Sequence, residues 1–191
     1  MTEVPALIYL LLPLLGGGIV HGLCLRYDLL PWLATPIDRG ANFRGQPLLG
    51  SHKTFRGPVT MLMGSALTLW IQCAWLHELP LARSLELFDY ASVSPWSLGA
   101  ALGLAASLAE LPNSFVKRRL GVAAGGAARG MHVVLFYFID QVDLLAGAWL
   151  VLAFVVEPTL SLVLTSIAIV FLGHAFVSLV GYWLRMRPAP Y

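Results

Sequence analysis

Two aspartates three residues apart, Asp140 and Asp143 in Asp140-Gln141-Val142-Asp143, lie inside an otherwise apolar run, GMHVVLFYFIDQVDLLAGAWLVLAFVV, from Gly130 to Val156. On a helix, positions i and i+3 share a face, with Cβ atoms about 5–6 Å apart. Two ionised carboxylates that close repel each other, and each costs roughly 3 kcal/mol at the centre of a membrane. A divalent cation would offset both penalties. An all-oxygen ligand set points to Mg²⁺, which takes one or two carboxylates and completes its shell with water and substrate phosphate. The competing reading puts both aspartates at a wet interface, where they merely end a helix.

A second group lies in AELPNSFVKRRLG, residues 109–121. Pro112 lacks an N–H, so a helix break is expected there, with a new helix starting nearby. Asn113 and Ser114 could satisfy free backbone groups at that start. Lys117 and Arg118 follow Ser114 by three and four residues and so share its face. Free N–H groups, a hydroxyl and two cations make an anion site. The alternative is that Lys117-Arg118-Arg119 is only a topology signal or a contact to anionic lipid.

A third group is LLGSHKTFRGP, residues 48–58, directly before a long uncharged segment. Gly50 and Gly57 let backbone approach a ligand. Lys53 is a compact cation, Thr54 a hydroxyl and Arg56 a bidentate fork. His52 is the one histidine embedded in a candidate site. His21 and His174 lie in apolar runs and read as hydrogen-bonded between helices. The GxxxxGK[ST] spacing of a P-loop is absent, and no Ser/His/Asp or Cys/His nucleophile set emerges.

The elements that must carry these groups are membrane helices. The chain of 191 residues is 58% hydrophobic and 12% charged, against about 25% charged in ordinary soluble domains. A spanning helix needs about 20 mostly apolar residues, and uncharged windows occur at 4–25, 58–76, 90–109, 144–156 and 158–184. The fourth is short. It reaches spanning length when extended back to Gly130, or it follows an interfacial helix ending near Phe138; the sequence allows both. Pro158 after Glu157 marks a turn into the last helix. The expected fold is all-α, a polytopic membrane protein with about five transmembrane helices, two functional cytoplasmic loops and one domain over 1–191.

Of the twelve Lys and Arg residues, Arg83 alone falls on the side opposite the other eleven. Those eleven are Arg26, Arg39, Arg44, Lys53 and Arg56 in the first loop, Lys117, Arg118, Arg119 and Arg129 in the second, and Arg185 and Arg187 in the tail. The positive-inside rule puts both loops and the C-terminus in the cytoplasm and the N-terminus outside, in a multi-pass cell membrane protein. All three groups then sit at one membrane face. Cys24 and Cys73 end up near opposite faces and do not read as a disulfide. Carboxylates and cations gathered at one face, without a protein nucleophile, suit phosphoryl or nucleotidyl transfer, and the setting suggests that one substrate is a lipid.

The stretch TPIDRGANFRGQPLLGSHKTFRG (35–57) resembles the signature before the second span of CDP-archaeol synthases. SFVKRRLG (114–121) and DQVDLLAGA (140–148) resemble that family's second and third signatures, in the same order. These are integral membrane cytidylyltransferases akin to CDP-diacylglycerol synthases. The resemblance implies an enzyme that transfers CMP from CTP to a phosphorylated membrane lipid, archaetidate-type or phosphatidate, giving a CDP-activated lipid and pyrophosphate with Mg²⁺. The implied partners are CTP, the lipid phosphate and the bilayer, with no nucleic acid. By resemblance, His52, Lys53, Thr54 and Arg56 hold nucleotide or phosphate. Asn113, Ser114, Lys117 and Arg118 bind phosphates, and Glu110, Asp140 and Asp143 bind the metal. Lys53, Lys117, Arg118, Asp140 and Asp143 would be the catalytic set. The chain has Ala109-Glu110 where the family usually shows Gly-Asp, and Gly-Ser-His-Lys-Thr where it often shows Gly-Asp-Gly-Lys-Thr. Two other readings are an ion-coupled transporter using the acidic pair, although no internal repeat is present, and an inactive relative acting as a scaffold.

Overall fold

The computed structural model describes residues 3–123 and 132–183. Arg129, Arg185, Arg187 and the His174 side chain lie outside the described residues. Each of the five apolar windows overlaps a long helix. These are α1 (Glu3–Arg26), α2 (Arg56–Ala74), α4 (Pro95–Arg119), α5 (His132–Leu152) and α6 (Leu160–Trp183). A short α3 (Pro80–Arg83) lies in the connection between α2 and α4. Among the described residues, α1 and the segment Arg56–Glu78 are long and apolar enough by themselves to cross a membrane, and Leu160–Gly173 is a shorter apolar stretch.

Local chemistry sets the helix starts. Ser94 caps α4, its hydroxyl accepting from the Ser97 N–H, with Pro95 at the first helical position. Thr159 caps α6 by accepting from the Leu162 N–H at 3.3 Å, just after Pro158. The helix α5 runs unbroken through Phe138 and contains both aspartates, so it is one long helix and not an interfacial helix followed by a span.

Pro112 does not break α4, which continues through it to Arg119. The expected new helix start at Asn113 is therefore absent, and with it the anion site built on free backbone N–H groups. The proline removes one N–H donor and crowds the preceding turn. Here it faces outward, while the opposite side of α4 is held by packing on α2 and α5.

That packing depends on small residues. A Cβ on Gly103 would lie 2.3 Å from the Met61 carbonyl oxygen, and one on Gly147 would lie 2.3 Å from the Ala105 carbonyl oxygen. Bare glycine faces let α4 approach α2 on one side and α5 on the other almost backbone to backbone. Membrane helix pairs gain dispersion contacts in this way. The core gathers Leu7, Leu10 and Leu14 of α1, Met61 of α2, Leu102 and Ala106 of α4, and Leu145 and Trp149 of α5. Trp149 donates its indole N–H to the buried Ser166 hydroxyl at 2.9 Å, tying α6 to α5. Large apolar side chains such as Ile19, Leu150, Leu164 and Leu172 are exposed on the outside of the bundle, which suits hydrocarbon and not water.

Candidate functional site

The loop from 27 to 55 is the first positioning device. Its two ends lie side by side. The Ile37 N–H donates to the Lys53 carbonyl at 2.8 Å, the Phe55 N–H donates to the Thr35 carbonyl at 3.1 Å, and Pro36 bridges Thr54. Between them is a two-residue hairpin, β1 (Asn42–Phe43) against β2 (Gln46–Pro47). Arg44 and Gly45 at its tip both have positive φ, 53° and 77°, as a tight right-twisted hairpin turn requires.

The Asp38 carboxylate fastens the loop. One oxygen accepts from the Gly40 N–H at 2.9 Å, and the other accepts from Leu49 at 2.8 Å and Gly50 at 3.2 Å. Burial pushes the Asp38 carboxyl up, but the N–H donors of Leu49, Gly40 and Gly50 together outweigh it and hold it below the ordinary carboxylate value.

The hairpin is moored to the end of α4. Arg119 donates to the carbonyls of Phe43, Gln46 and Pro47 and stacks on Phe43 and Phe115. Arg119 was expected only as a topology charge. Its donor fork instead satisfies three carbonyls at an otherwise open strand end.

So held, the loop delivers one group of side chains to a cavity of about 130 Å³ between α1, α2 and α4. His52, Lys53 and Thr54 line it together with Glu110, and the Lys53 ammonium is ion-paired with the Glu110 carboxylate. Partial burial, then the positive charges of Lys53, Arg118 and Lys117, hold the His52 imidazole below its usual value. This favours the neutral form of the His52 ring.

A second group bridges α4 and α5. Asn113 Nδ2 donates to Asp140 Oδ1 at 2.5 Å and to Asp143 Oδ2 at 2.9 Å. Lys117 Nζ donates to both Asp140 oxygens, at 2.5 and 2.6 Å, and lies 5.2 Å from the centre of the Phe136 ring. One amide spanning both carboxylates places the two aspartates on one face of α5. Asp143 also accepts from the Leu144 N–H at 2.7 Å.

The remaining expected residues stand apart from these contacts. Arg56 is buried at the start of α2 and donates to Asp28 Oδ1 at 2.9 Å, while its Nε has no partner. Arg118 is buried and donates to the Val122 carbonyl, its Nε likewise unpartnered. Ser114 is buried in α4. Sequence reasoning missed Asp28, Asp38 and Arg119. Asp38-Arg39-Gly40 is an Asx-turn pattern and could have flagged Asp38.

The donor chemistry fits a hard cation at the second group. Asp140 and Asp143 offer carboxylate oxygens side by side, and Lys117 already supplies positive charge at the place where a cation would. Among the described residues, however, no group of three or more Asp, Glu, His or Cys side chains is gathered closely enough to hold an ion. Glu110 is on Lys53 and not on the aspartates. A two-carboxylate site is what Mg²⁺ ordinarily uses.

A family model described as CarS-like, CDP-archaeol synthase, matches residues 7–191. The chain belongs to the CDP-archaeol synthase family. It is 32% identical over 170 residues to the CDP-archaeol synthase of Hyperthermus butylicus, covering 85% of each chain. It is 30% identical over 169 residues to that of Methanoregula boonei, covering 82% of this chain and 90% of that one. A solved structure of an intramembrane enzyme for archaeal membrane lipids biosynthesis superposes with a TM-score of 0.64 at 24% identity, covering 89% of this chain and 90% of that one. The helical bundle is thus a fold shared with a membrane enzyme. Within this CDP-archaeol synthase-family chain, the glutamate of Ala109-Glu110 keeps a carboxylate and uses it to hold the lysine of Gly-Ser-His-Lys-Thr.

Proposed function

We propose that this protein is a CTP-dependent lipid cytidylyltransferase that transfers CMP from CTP to a phosphorylated isoprenoid glycerol or a phosphatidate-like lipid. The products are a CDP-activated lipid and pyrophosphate. The observation that carries this reading is the Asn113–Lys117–Asp140–Asp143 group across α4 and α5, next to the Lys53–Glu110 pair, in a chain of the CDP-archaeol synthase family.

The chemistry follows from charge. A lipid phosphate oxygen attacks the α-phosphorus of CTP, the bond from that phosphorus to the bridging oxygen breaks, and pyrophosphate leaves with the electron pair. Lys117, beside the aspartates, neutralises phosphate oxygens as charge moves onto the leaving group, and Lys53 neutralises phosphate oxygens at the reacting centre. Thr54, His52 and Ser114 supply hydrogen bonds. Arg118 and Arg56 each have an Nε without a partner, and each would orient toward a phosphate by giving up a local contact. Asn113 holds the aspartates in register. Asp140 and Asp143 would hold Mg²⁺, which when bound neutralises phosphate charge and lowers the cost of pyrophosphate departure. Glu110 would join them only by leaving Lys53. No covalent enzyme intermediate is needed.

The topology that fits this chemistry has five spans, α1, α2, α4, α5 and α6, in one domain. The basic loops are cytoplasmic, where CTP is available, and the N-terminus faces out. The expected oxygen-rich, cation-rich groups then share the cytoplasmic face with the phosphate end of the lipid.

The test is turnover by purified protein in detergent with Mg²⁺, labelled CTP and a panel of phosphatidate and isoprenoid glycerol phosphates. A labelled lipid with matching pyrophosphate release is expected. Asp143→Asn should lower the rate by about a hundredfold or more while the protein keeps its monodisperse, helical state. Full activity in that variant would overturn the role of the aspartate pair, and nucleotide binding without any product would turn the reading toward an inactive scaffold.

A further inference from the structure

His21, on the cytoplasmic half of α1, takes no part in the chemistry above, yet it lines the same cavity as Lys53 and Glu110. Its Nδ1 is 2.8 Å from the Thr60 hydroxyl. That hydroxyl has one proton, and it is 2.6 Å from the Arg56 carbonyl, the residue four positions back in α2. Hydroxyls in helices commonly donate to this carbonyl. The Thr60 oxygen is then the acceptor and His21 Nδ1 the donor, which fixes the tautomer and leaves Nε2 for a ligand. Thr60 is fully buried, so the ring is pinned from behind.

The cavity lining is mixed. His52, Lys53, Glu110, Ser107 and His21 are polar, whereas Leu25, Met61 and Leu111 are apolar. Leu25, one residue before the end of α1, is also exposed, so the apolar part of the lining reaches the outside of the bundle. Gly57 leaves the floor open. A Cβ there would stand between the Ser107 hydroxyl at 3.7 Å and His21 Cε1 at 3.8 Å. A ligand that combines phosphate charge, neutral oxygens and hydrocarbon finds a partner for each part in this lining.

We propose that the cavity between α1, α2 and α4 receives the polar end of the acceptor lipid, its phosphate and the adjoining glycerol, and that His21 contacts that end directly. The inference rests on the cytidylyltransferase reading for its choice of ligand. In it, Lys53 meets the lipid phosphate and His21 Nε2 meets a glycerol or phosphate oxygen. The Asp140–Asp143 side is left to the nucleotide.

Two variants test it. His21→Leu removes the nitrogen, and Gly57→Ala adds one methyl at ordinary contact distance, which the fold tolerates. With lipid phosphate varied in mixed micelles at saturating CTP, both variants should raise the half-saturating lipid fraction by about five- to tenfold, His21→Leu through one lost hydrogen bond and Gly57→Ala through a methyl that takes up ligand space. The half-saturating CTP concentration should stay within about twofold, since no cavity contact to CTP is lost. A rise in the CTP value with the lipid value unmoved would overturn the proposal and give the cavity to the nucleotide, and no change in either would overturn it as well. Without CTP, the lipid phosphate should raise the melting temperature of the wild-type protein, and both variants should lose that rise. An equal rise with inorganic phosphate alone would reduce the site to a simple anion site and overturn the lipid assignment. If the wild-type protein makes no CDP-lipid, the cytidylyltransferase reading falls, while the melting measurement still decides what the cavity binds.

Discussion

Asn113 is the residue on which the geometry of the acidic pair turns. One primary amide has two N–H donors, and here they reach Asp140 and Asp143 together. Without it, two carboxylates on adjacent turns of α5 would repel and rotate apart. Asn113→Ala is therefore expected to cut turnover by roughly ten- to a hundredfold, the usual cost of losing a side chain that orients metal-binding groups. The apparent Mg²⁺ requirement should rise, and CTP binding in the absence of metal should change little. Steady-state rates across a Mg²⁺ series check this. Asp38 makes a different kind of prediction, about pH. Its carboxyl is held below the ordinary value, so it favours the folded loop at every pH above the unfolded value and loses that effect as pH falls through the lowered one. Asp38→Asn should loosen the loop at neutral pH by about 2 kcal/mol, from charge-assisted hydrogen bonds weakened to neutral ones. Amide protection at Leu49 and Gly50 should therefore differ between wild type and variant at pH 7, and the difference should close as the wild-type carboxyl protonates. A difference that persists unchanged into acid would show that Asp38 acts without its charge.

At the scale of elements, helix contact is set by what is missing. Gly103 faces the Met61 carbonyl with no room for a methyl group, so Gly103→Ala must push α4 away from α2. Overpacking of this kind costs about 1–3 kcal/mol, which should appear as a lower melting temperature in detergent. Gly121→Ala, where nothing lies near the Cβ but φ is +75°, would be penalised through backbone strain instead and serves as a contrast. These contacts were not legible in the sequence, because a glycine in an apolar run reads the same whether it faces a helix or lipid. The long helices were legible, since an uncharged window of near-spanning length has few other uses. The shared face of Asp140 and Asp143 was legible too, from spacing alone. The break at Pro112 was misread for a local reason: proline propensity is strong, but α4 is gripped by two neighbours and Pro112 lies on its outward side. Arg119 was misread because a Lys-Arg-Arg run at a membrane edge has an adequate explanation in topology. Nothing in its spacing signals that a hairpin seventy-odd residues earlier would present three carbonyls to it.

For the whole molecule, the arrangement that makes the chemistry possible is a division between two ends. The carboxylate and cation groups lie at one end of the bundle, carried by the end of α4, the start of α2 and the loop before it. At the other end, the connection between α2 and α4 closes over the helices with aromatic packing. Tyr90 is 2% exposed, stacks on Phe88 at 4.3 Å and leans on Tyr9. His77 and Glu86 pair at 2.8 Å within the same connection. That end holds Arg83 as its basic residue, against eleven Lys and Arg assigned to the other side. Such a bias orients a membrane protein with its basic loops in the cytoplasm. In the proposed orientation, the Lys53 and Asp140 groups would face the side that supplies CTP. The orientation can be read directly. In a background with Cys24→Ser and Cys73→Ser, Leu81→Cys and Arg44→Cys place single thiols at exposed positions in the two opposite connections. A membrane-impermeant maleimide added to intact cells should label the Leu81→Cys protein and leave the Arg44→Cys protein unlabelled until the membrane is opened. The reverse pattern would put the candidate site outside, away from any nucleoside triphosphate supply, and would remove the cytidylyltransferase reading at its root. Labelling of both from outside would mean that the two connections share a face, which an odd number of helices between them cannot produce, and would count against α2 as a single full span.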